Sequence, residues 1–559
     1  MNNYKPIIYQ LFPRLFTNTC GHCVPNGTIK QNGSGKMNDI TLPVLKKLKD
    51  LGATHVWYTG VIRHATKTKY KGIPDCNPYI VKGNAGSPYA ITDYYDIDPD
   101  IAVTVKNRMR EFEQLVKRTH EAGLKVIIDF VPNHVARQYH SIAKPQGVED
   151  LGENDNKNHA FSPNNNFYYI PDEQFAPGID LGQGDDFYYE KPAMATGNDC
   201  FHQYPSANDW YETVKLNYGV DYATWERHFS PIPSTWHKML DIMKFWAGKG
   251  IDGFRCDMAH MVPAEFWNWA IPQVKTINYK LIFIAELYDV AIYREYIYYG
   301  HFDYLYDKVS LYDTLRAVTC GNANASAITS CWQAVEGISE HMLNLLENHD
   351  EQRIASPQFA GDPFKALPAL VVSATISRAP FMIYQGQELG EPALDAEGFS
   401  GQDGRTTIFD YWSVPTLRRW YNGGKCDTSK LTEEERKLRK FHKTLLRLCN
   451  KEKAIAQGEF YDLMYANYNS MNCDKVYAFY RHLDDEHLLI IANFGDKEEN
   501  INLYTPQHAL DTMHLRPGTY KAHELLTASD MTLTIDANMP VTLTIPHRNA
   551  VIIKLLKNI

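Results

Sequence analysis

Four short apolar runs in this chain end the same way. Val126-Ile127-Ile128 leads into Asp129 and on to Asn133-His134, while Ile251 and Phe254 approach Arg255 and Asp257. Leu281 to Ala285 ends in Glu286, and Leu343 to Leu346 runs into Glu347-Asn348-His349-Asp350. One acid after one strand is ordinarily a helix cap or a surface ion pair. Four in order, separated by segments of helix length or more, point to parallel strands, whose crossovers need a dozen or more residues. Polar groups gathered at the carboxyl ends of such strands are how a (β/α)8 TIM barrel presents an active site. On a strand the period of two puts Arg255 and Asp257 on one face. A cation there favours the ionised carboxylate, the form that can act as a nucleophile.

The chain is too long for one core, since single cores seldom exceed about 250–300 residues. Residues 1–131 and 219–450 carry the strand–helix alternation expected of a barrel. Its other strands fall at Ile7 to Phe12, Thr54 to Tyr58, Phe302 to Leu305 and Ala379 to Tyr384. Apolar spacing predicts helices over Lys106 to Ala122 and Glu433 to Asn450. Residues 132–218 are rich in Asn, Asp, Gly, Pro and Tyr and have little periodicity, which reads as an inserted domain. Residues 451–559 change to short alternating runs, the pattern of an antiparallel β-domain.

The net charge of −9, with both signs well mixed, provides no basic face for nucleic acid or an anionic membrane. No run approaches the ~20 apolar residues of a membrane helix. The start, Met1 to Pro6, lacks the basic and apolar regions of a leader. Ten scattered cysteines, one of them (Cys256) inside an acid-bearing strand, read as reduced thiols of a cytoplasmic protein. Cys20-Gly21-His22-Cys23 has a redox-type spacing but lies in an Asn- and Gly-rich loop. It reads as coincidence or an adventitious metal pair.

Asp129-Phe-Val-Pro-Asn-His134, Gly253-Phe-Arg-Cys-Asp257, Ile284-Ala-Glu286 and Glu347-Asn-His-Asp350 resemble the four ordered signature blocks of the α-amylase family, glycoside hydrolase family 13. The match reaches from Tyr9-Gln-Leu-Phe-Pro13 to Gln385-Gly-Gln-Glu-Leu-Gly390. The resemblance implies a barrel with a domain inserted after its third strand and a C-terminal antiparallel β-domain. It implies retaining hydrolysis of α-1,4-glucosidic bonds in starch-like glucans or maltooligosaccharides, with Asp257 as nucleophile and Glu286 as acid/base. Such cleavage needs one ionised and one protonated carboxyl. The apolar run before Glu286, with no cation beside it in the sequence, suits the acid.

By the same resemblance Asp350 grips the sugar hydroxyls, Tyr89 stacks on the sugar, and His134, His349, Arg255 and Arg353 contact or flank it. Asn133 stands where some members hold calcium, so the resemblance allows that metal and requires no other cofactor. Val214-Lys-Leu-Asn217 resembles a fifth, looser block. Where many relatives carry a Lys-His pair after the nucleophile, this chain has Met258-Ala259-His260-Met261. Exo-acting relatives place an Asp after the stacking tyrosine; Ala90 stands here, so an open cleft and endo-type or maltooligosaccharide-releasing action are expected. Transfer or isomerisation stays open beside hydrolysis, because all three share the covalent intermediate. Non-catalytic barrel relatives that chaperone transporters have a membrane helix and tolerate loss of the acids; this chain has all three acids and no such helix.

Overall fold

Eight parallel strands close on themselves in a computed structural model that describes residues 5–558. Met1–Tyr4, on which part of the leader reading rests, lie outside the described residues. The strands are β1 (Ile7–Leu11), β2 (His55–Tyr58), β3 (Lys125–Phe130), β4 (Gly253–Cys256), β5 (Ile282–Ala285), β6 (Tyr304–Tyr306), β7 (Met342–Leu345) and β8 (Phe381–Tyr384). Each pairs with its sequence neighbours, and β8 returns to β1. Because helices cover the outside and side chains fill the inside, these strands are apolar on both faces. Ile7, Tyr9, Val56, Val126, Ile128, Phe254 and Phe283 pack outward in the main core. Ile8, Trp57, Ile127, Ile284, Tyr306, Leu343, Leu345 and Met382 fill the barrel's interior.

The period of two carries that interior face up to the site. Asp129 follows Ile127 on the inner face, Glu286 follows Ile284, and Arg255 alternates with outward Phe254. In register Arg255 faces Asp129 on one side and Ile284 on the other, and Cys256 faces Ala285. The next residues, Asp257 and Glu286, therefore leave the sheet side by side. The sixth strand starts two residues later than the sequence suggests. Asp303 is engaged before it, its carboxylate accepting from Phe283 N and Lys275 Nζ.

The aperiodic stretch after β3 is tied by very short ladders rather than by long elements. His134–Ala136 pairs antiparallel with Thr213–Lys215, and Tyr169–Ile170 with Ala193–Met194. Strands of two or three residues carry no readable alternation. Beyond the helix Glu433–Lys451, a six-stranded antiparallel sheet includes Val476–Leu483, Glu486–Asn493 and Asn549–Asn558, where alternation was visible. Its outer pair, Gly518–Glu524 with Ser529–Ile535, is half-exposed and poor in large apolar residues, and was not visible. Arg481 of this sheet is fully buried and donates to Ile376 O next to the barrel. Among the described residues no helix is long and apolar enough to cross a membrane.

The loop after β7 is fixed from below. Arg353 is fully buried, with Nη1 2.9 Å from Glu347 Oε2 and from Gln385 O, and Nε 2.8 Å from Thr406 Oγ1. Its guanidinium lies 4.1 Å from the Tyr384 ring centre. Glu347 also accepts from Ile354 N at 2.7 Å, closing the loop that contains His349 and Asp350. Glu347→Ala leaves a buried guanidinium without its counter-charge and is expected to lower the unfolding free energy by about 3–5 kcal/mol. Denaturant titration reads this directly, and a near-neutral result would refute the clamp.

Candidate active site

Arg255 is the hub at the top of the barrel. Its Nη1 lies 2.8 Å from Asp257 Oδ1 and 3.5 Å from Asp129 Oδ1, and its Nη2 lies 2.8 Å from Glu286 Oε1. Nε donates to the Tyr306 hydroxyl at 3.2 Å. The rings of Trp57, Tyr89 and Tyr306 enclose the guanidinium, their centres 5.2, 5.4 and 5.6 Å away. The sequence reading gave this cation to Asp257 and none to Glu286. The strand register corrects that, since it sets both carboxyls beside one guanidinium.

Burial pushes the Asp257 carboxyl well up, the charge of Glu286 pushes it further, and Arg255 opposes both. Glu286 accepts from Met258 N at 2.8 Å and from the Tyr288 hydroxyl at 2.6 Å. To present that amide, Met258 takes left-handed backbone angles (φ 42°), an uncommon state for a bulky side chain.

Asp350 faces the same space, with 45% of its side chain exposed and Oδ2 2.9 Å from His349 Nε2. Burial raises its carboxyl, and His349 together with Arg255 and Arg405 more than offsets that, so the group titrates below its usual value. His349 is held by the Gln10 side-chain amide, 2.8 Å from Nδ1, and by the Tyr89 hydroxyl, 2.6 Å from Nε2. With that amide donating to Nδ1, the ring proton sits on Nε2. The Tyr89 ring stacks on the imidazole with centres 5.1 Å apart. His134 is buried against Trp210, ring centres 5.2 Å apart, and burial with help from Lys215 brings its pKa down to about 3. It is neutral at any working pH.

These groups line one cavity of about 370 Å³ that takes in Tyr89, His134, Asp257, Glu286, Tyr288 and Asp350, with Lys82, Trp210, Glu212 and Phe409 along its edge. Of the sequence candidates, Arg255 and His349 stand behind this lining, bonded to Asp257, Glu286, Tyr89 and Asp350, and Asn133 and Arg353 are absent from it. Arg353 lies beneath the loop, paired to Glu347. Ala90 is buried and does not face the cavity either. Phe409 and Lys82 do line the cavity, and the Lys82 ammonium lies 3.0 Å from Glu212. Gln10, Tyr288, Trp210, Lys82, Glu212 and Phe409 were not singled out from the sequence. Gln10 sits in the quoted Tyr9–Pro13 run, so that match was the one available signal.

Asn133 does not offer its oxygen to a metal. Its Oδ1 accepts from Lys215 Nζ at 2.8 Å, its Nδ2 donates to Gly197 O at 2.7 Å, and Lys215 Nζ lies 2.5 Å from Asp199 Oδ1. An ammonium thus stands between the amide and carboxylate oxygens that a hard cation such as calcium would need. This donor set does not fit calcium.

Comparison with known proteins agrees with the geometry. The family described as "Alpha amylase, catalytic domain" matches residues 10–286. Alpha-amylase 3 of Dictyoglomus thermophilum is 22% identical over 539 residues, 93% of this chain and 91% of its own. Neopullulanase 2 of Thermoactinomyces vulgaris is 22% identical over 520 residues, 90% of this chain and 72% of its own. The α-amylase of Geobacillus thermoleovorans, solved with acarbose, superposes with a TM-score of 0.64 at 18% identity, covering 99% of this chain and 98% of that one. At that identity the superposition speaks for the fold alone. With the catalytic-domain match and relatives aligned along nearly the whole chain, this protein belongs to the α-amylase family.

Proposed function

We propose that this chain is a retaining glycosidase that hydrolyses α-1,4-glucosidic bonds in starch-like glucans and maltooligosaccharides. The observation that carries the reading is the pair of carboxyls, Asp257 and Glu286, set on one guanidinium at the floor of a cavity that also holds Asp350. Relatives named α-amylase, neopullulanase and cyclomaltodextrinase support the substrate class.

In the proposed reaction, Asp257 attacks the anomeric carbon while Glu286 gives its proton to the departing glycosidic oxygen. Glu286 then draws a proton from water, which releases the sugar from Asp257 with its original configuration. Positive charge developing on the sugar ring favours the Asp257 anion beside it, while Glu286 neutralises the charge growing on the leaving oxygen. Tyr288 and Met258 N keep the Glu286 carboxyl aimed. His349 and Asp350 receive ring hydroxyls, and Tyr89 covers one face of the sugar. Ten free cysteines support placement in a reducing compartment, the cytoplasm. The Lys215 ammonium supports a junction that works without calcium.

Asp257→Asn and Glu286→Gln should each lower kcat on maltotriose by about a thousandfold or more, with melting unchanged. Proton NMR of fresh product should show the α-anomer first. Early β-anomer would end the retaining reading, and products longer than the substrate would move it to transfer.

The raised Asp257 pKa fixes the sign of one pH effect. The nucleophile acts only when ionised, so kcat/KM is lost as pH falls through that raised value. The acid limb should therefore lie above the ordinary aspartate value of about 3.9. A pH–rate profile with full activity at pH 4 would contradict it.

EDTA should leave both activity and Tm unchanged. Lys215→Met, which strands Asn133 Oδ1 and Asp199, should lower stability by about 1–3 kcal/mol. Chelator-induced unfolding of the unaltered protein would overturn the metal-free reading.

A further inference from the structure

The loop that follows β1 holds a pair of thiols that the proposed chemistry does not use. Cys20 Sγ donates to Gln31 O at 3.5 Å and Cys23 Sγ to Asn32 O at 3.7 Å, two consecutive carbonyls of the short helix Ile29–Asn32. The two thiols are also within hydrogen-bonding reach of each other. Both are half-buried, so solvent reaches each of them. Among the described residues no group of three or more His, Cys, Asp or Glu side chains is placed to hold a metal. The adventitious metal pair expected from the sequence therefore has no third ligand.

Both ends of the motif are anchored to one residue. Asn32 is fully buried, its Oδ1 accepting from Val24 N and its Nδ2 donating to Val24 O, each at 2.8 Å, just after Cys23. Its carbonyl accepts from Asn18 Nδ2 at 2.9 Å, and Asn18 Oδ1 accepts from Cys20 N at 3.1 Å. The chain thus leaves Asn32 at Asn18, passes both cysteines and returns to Asn32 at Val24, which holds the sulfurs side by side. The same loop is tied to the segment that follows Phe409 of the cavity. Asn32 Nδ2 donates to Tyr411 O at 2.8 Å, and Asn18 Nδ2 to Trp412 O at 2.7 Å. Arg418 Nη1, 2.8 Å from Cys20 O, sets a cation beside the pair. A nearby cation favours the thiolate, which is the reactive form.

We propose that Cys20 and Cys23 form a reversible oxidation site, which a hydroperoxide converts from dithiol to disulfide and a small thiol such as glutathione converts back. Cys20, whose hydrogen bond is the exposed one of the two, reacts first. Its sulfur takes the terminal oxygen of ROOH and becomes a sulfenic acid, while the proton of the thiol leaves with ROH. Burial and the neighbouring Cys20 thiol push the Cys23 thiol well up, so Cys23 stays protonated until the adjacent sulfur is oxidised. The Cys23 sulfur then attacks the sulfenic sulfur. The S–S bond forms, the S–O bond breaks, and water departs with the Cys23 proton. The thiols give up two electrons, which reduce the peroxide, and two glutathiones return them by thiol–disulfide exchange. This site goes beyond the glycosidase reading and stands independently of it. It puts a redox-dependent crosslink on a loop tied to the cavity's edge.

Trypsin gives a direct test, because residues 15–30 leave as one peptide carrying both cysteines. The full chain is treated with hydrogen peroxide, quenched in acid, unfolded, alkylated with iodoacetamide and digested without reductant. The peptide should be lighter than the dithiol by two hydrogen atoms and carry no alkyl group. Dithiothreitol before alkylation should restore both labelled thiols. Labelled thiols without reductant, a sulfonic acid, or a mixed disulfide with another cysteine would each overturn the site. A second comparison separates a held pair from the ordinary oxidation of any close pair. Folded protein and the chain unfolded in urea are equilibrated in one glutathione buffer. The disulfide-to-dithiol ratio at this peptide should be about tenfold higher in the folded protein, where the loop raises the effective concentration of one thiol at the other. Equal ratios refute the proposal.

Discussion

One guanidinium organises the top of this barrel. Three carboxylates, Asp129, Asp257 and Glu286, converge at Arg255, the positive charge among them, and burial alone would drive Asp129 and Asp257 toward the neutral form. Remove that cation and the pair of buried acids would have no counter-charge beside them. With it, the two carboxyls are held side by side in a fixed geometry, bordered by the rings of Trp57, Tyr89 and Tyr306. Each further contact of the pocket refines this arrangement. Trp57 Nε1 fixes Asp129, Tyr288 and Met258 N fix Glu286, and Gln10 and Tyr89 fix His349.

The same physics recurs at the two loops that flank the site. Arg353 holds the β7 loop through Glu347, and Lys215 holds the start of the insertion through Asn133 and Asp199. In each place a side-chain cation meets oxygens that would otherwise repel or go unpaired. Each cation is covalently part of the chain, so these loops carry their own counter-charge. The Arg405 guanidinium adds a further tie by donating to the Asp350 carbonyl at 2.5 Å. The carboxyl that is half-exposed to the cavity is thus carried on a backbone held from both sides.

The sequence made the barrel legible because fully buried parallel strands are apolar on both faces and end in the residues that do the chemistry. Asp129, Arg255, Asp257 and Glu286 follow from strand period and strand end. Tyr89, His134 and His349 followed from the family resemblance, and the cavity includes or borders all three. Arg353 did not belong with them. It stands three residues from Asp350 in the chain, but its own amide donates to Gly404 O, which turns the side chain under the loop. Closeness in sequence says nothing about which way a turn faces. Gln10 and Trp210 act across contacts of hundreds or tens of residues in separation, which no local pattern encodes.

The insertion shows why aperiodic sequence should not be read as unstructured. Its ladders are two or three residues long, so neither strand alternation nor helix spacing has room to appear. Order comes instead from aromatic contacts and from polar side chains bound to backbone, as when the Asp155 carboxylate accepts from Asn166 N and Phe167 N. Such a fold depends little on apolar pattern, so its surface residues are free to be chosen for what they touch. The hairpin carrying Tyr222 and Trp225 is one result. Trp225 at its tip takes left-handed backbone angles while its indole stays exposed, held by the Asp221 side chain and carbonyl rather than by an apolar core.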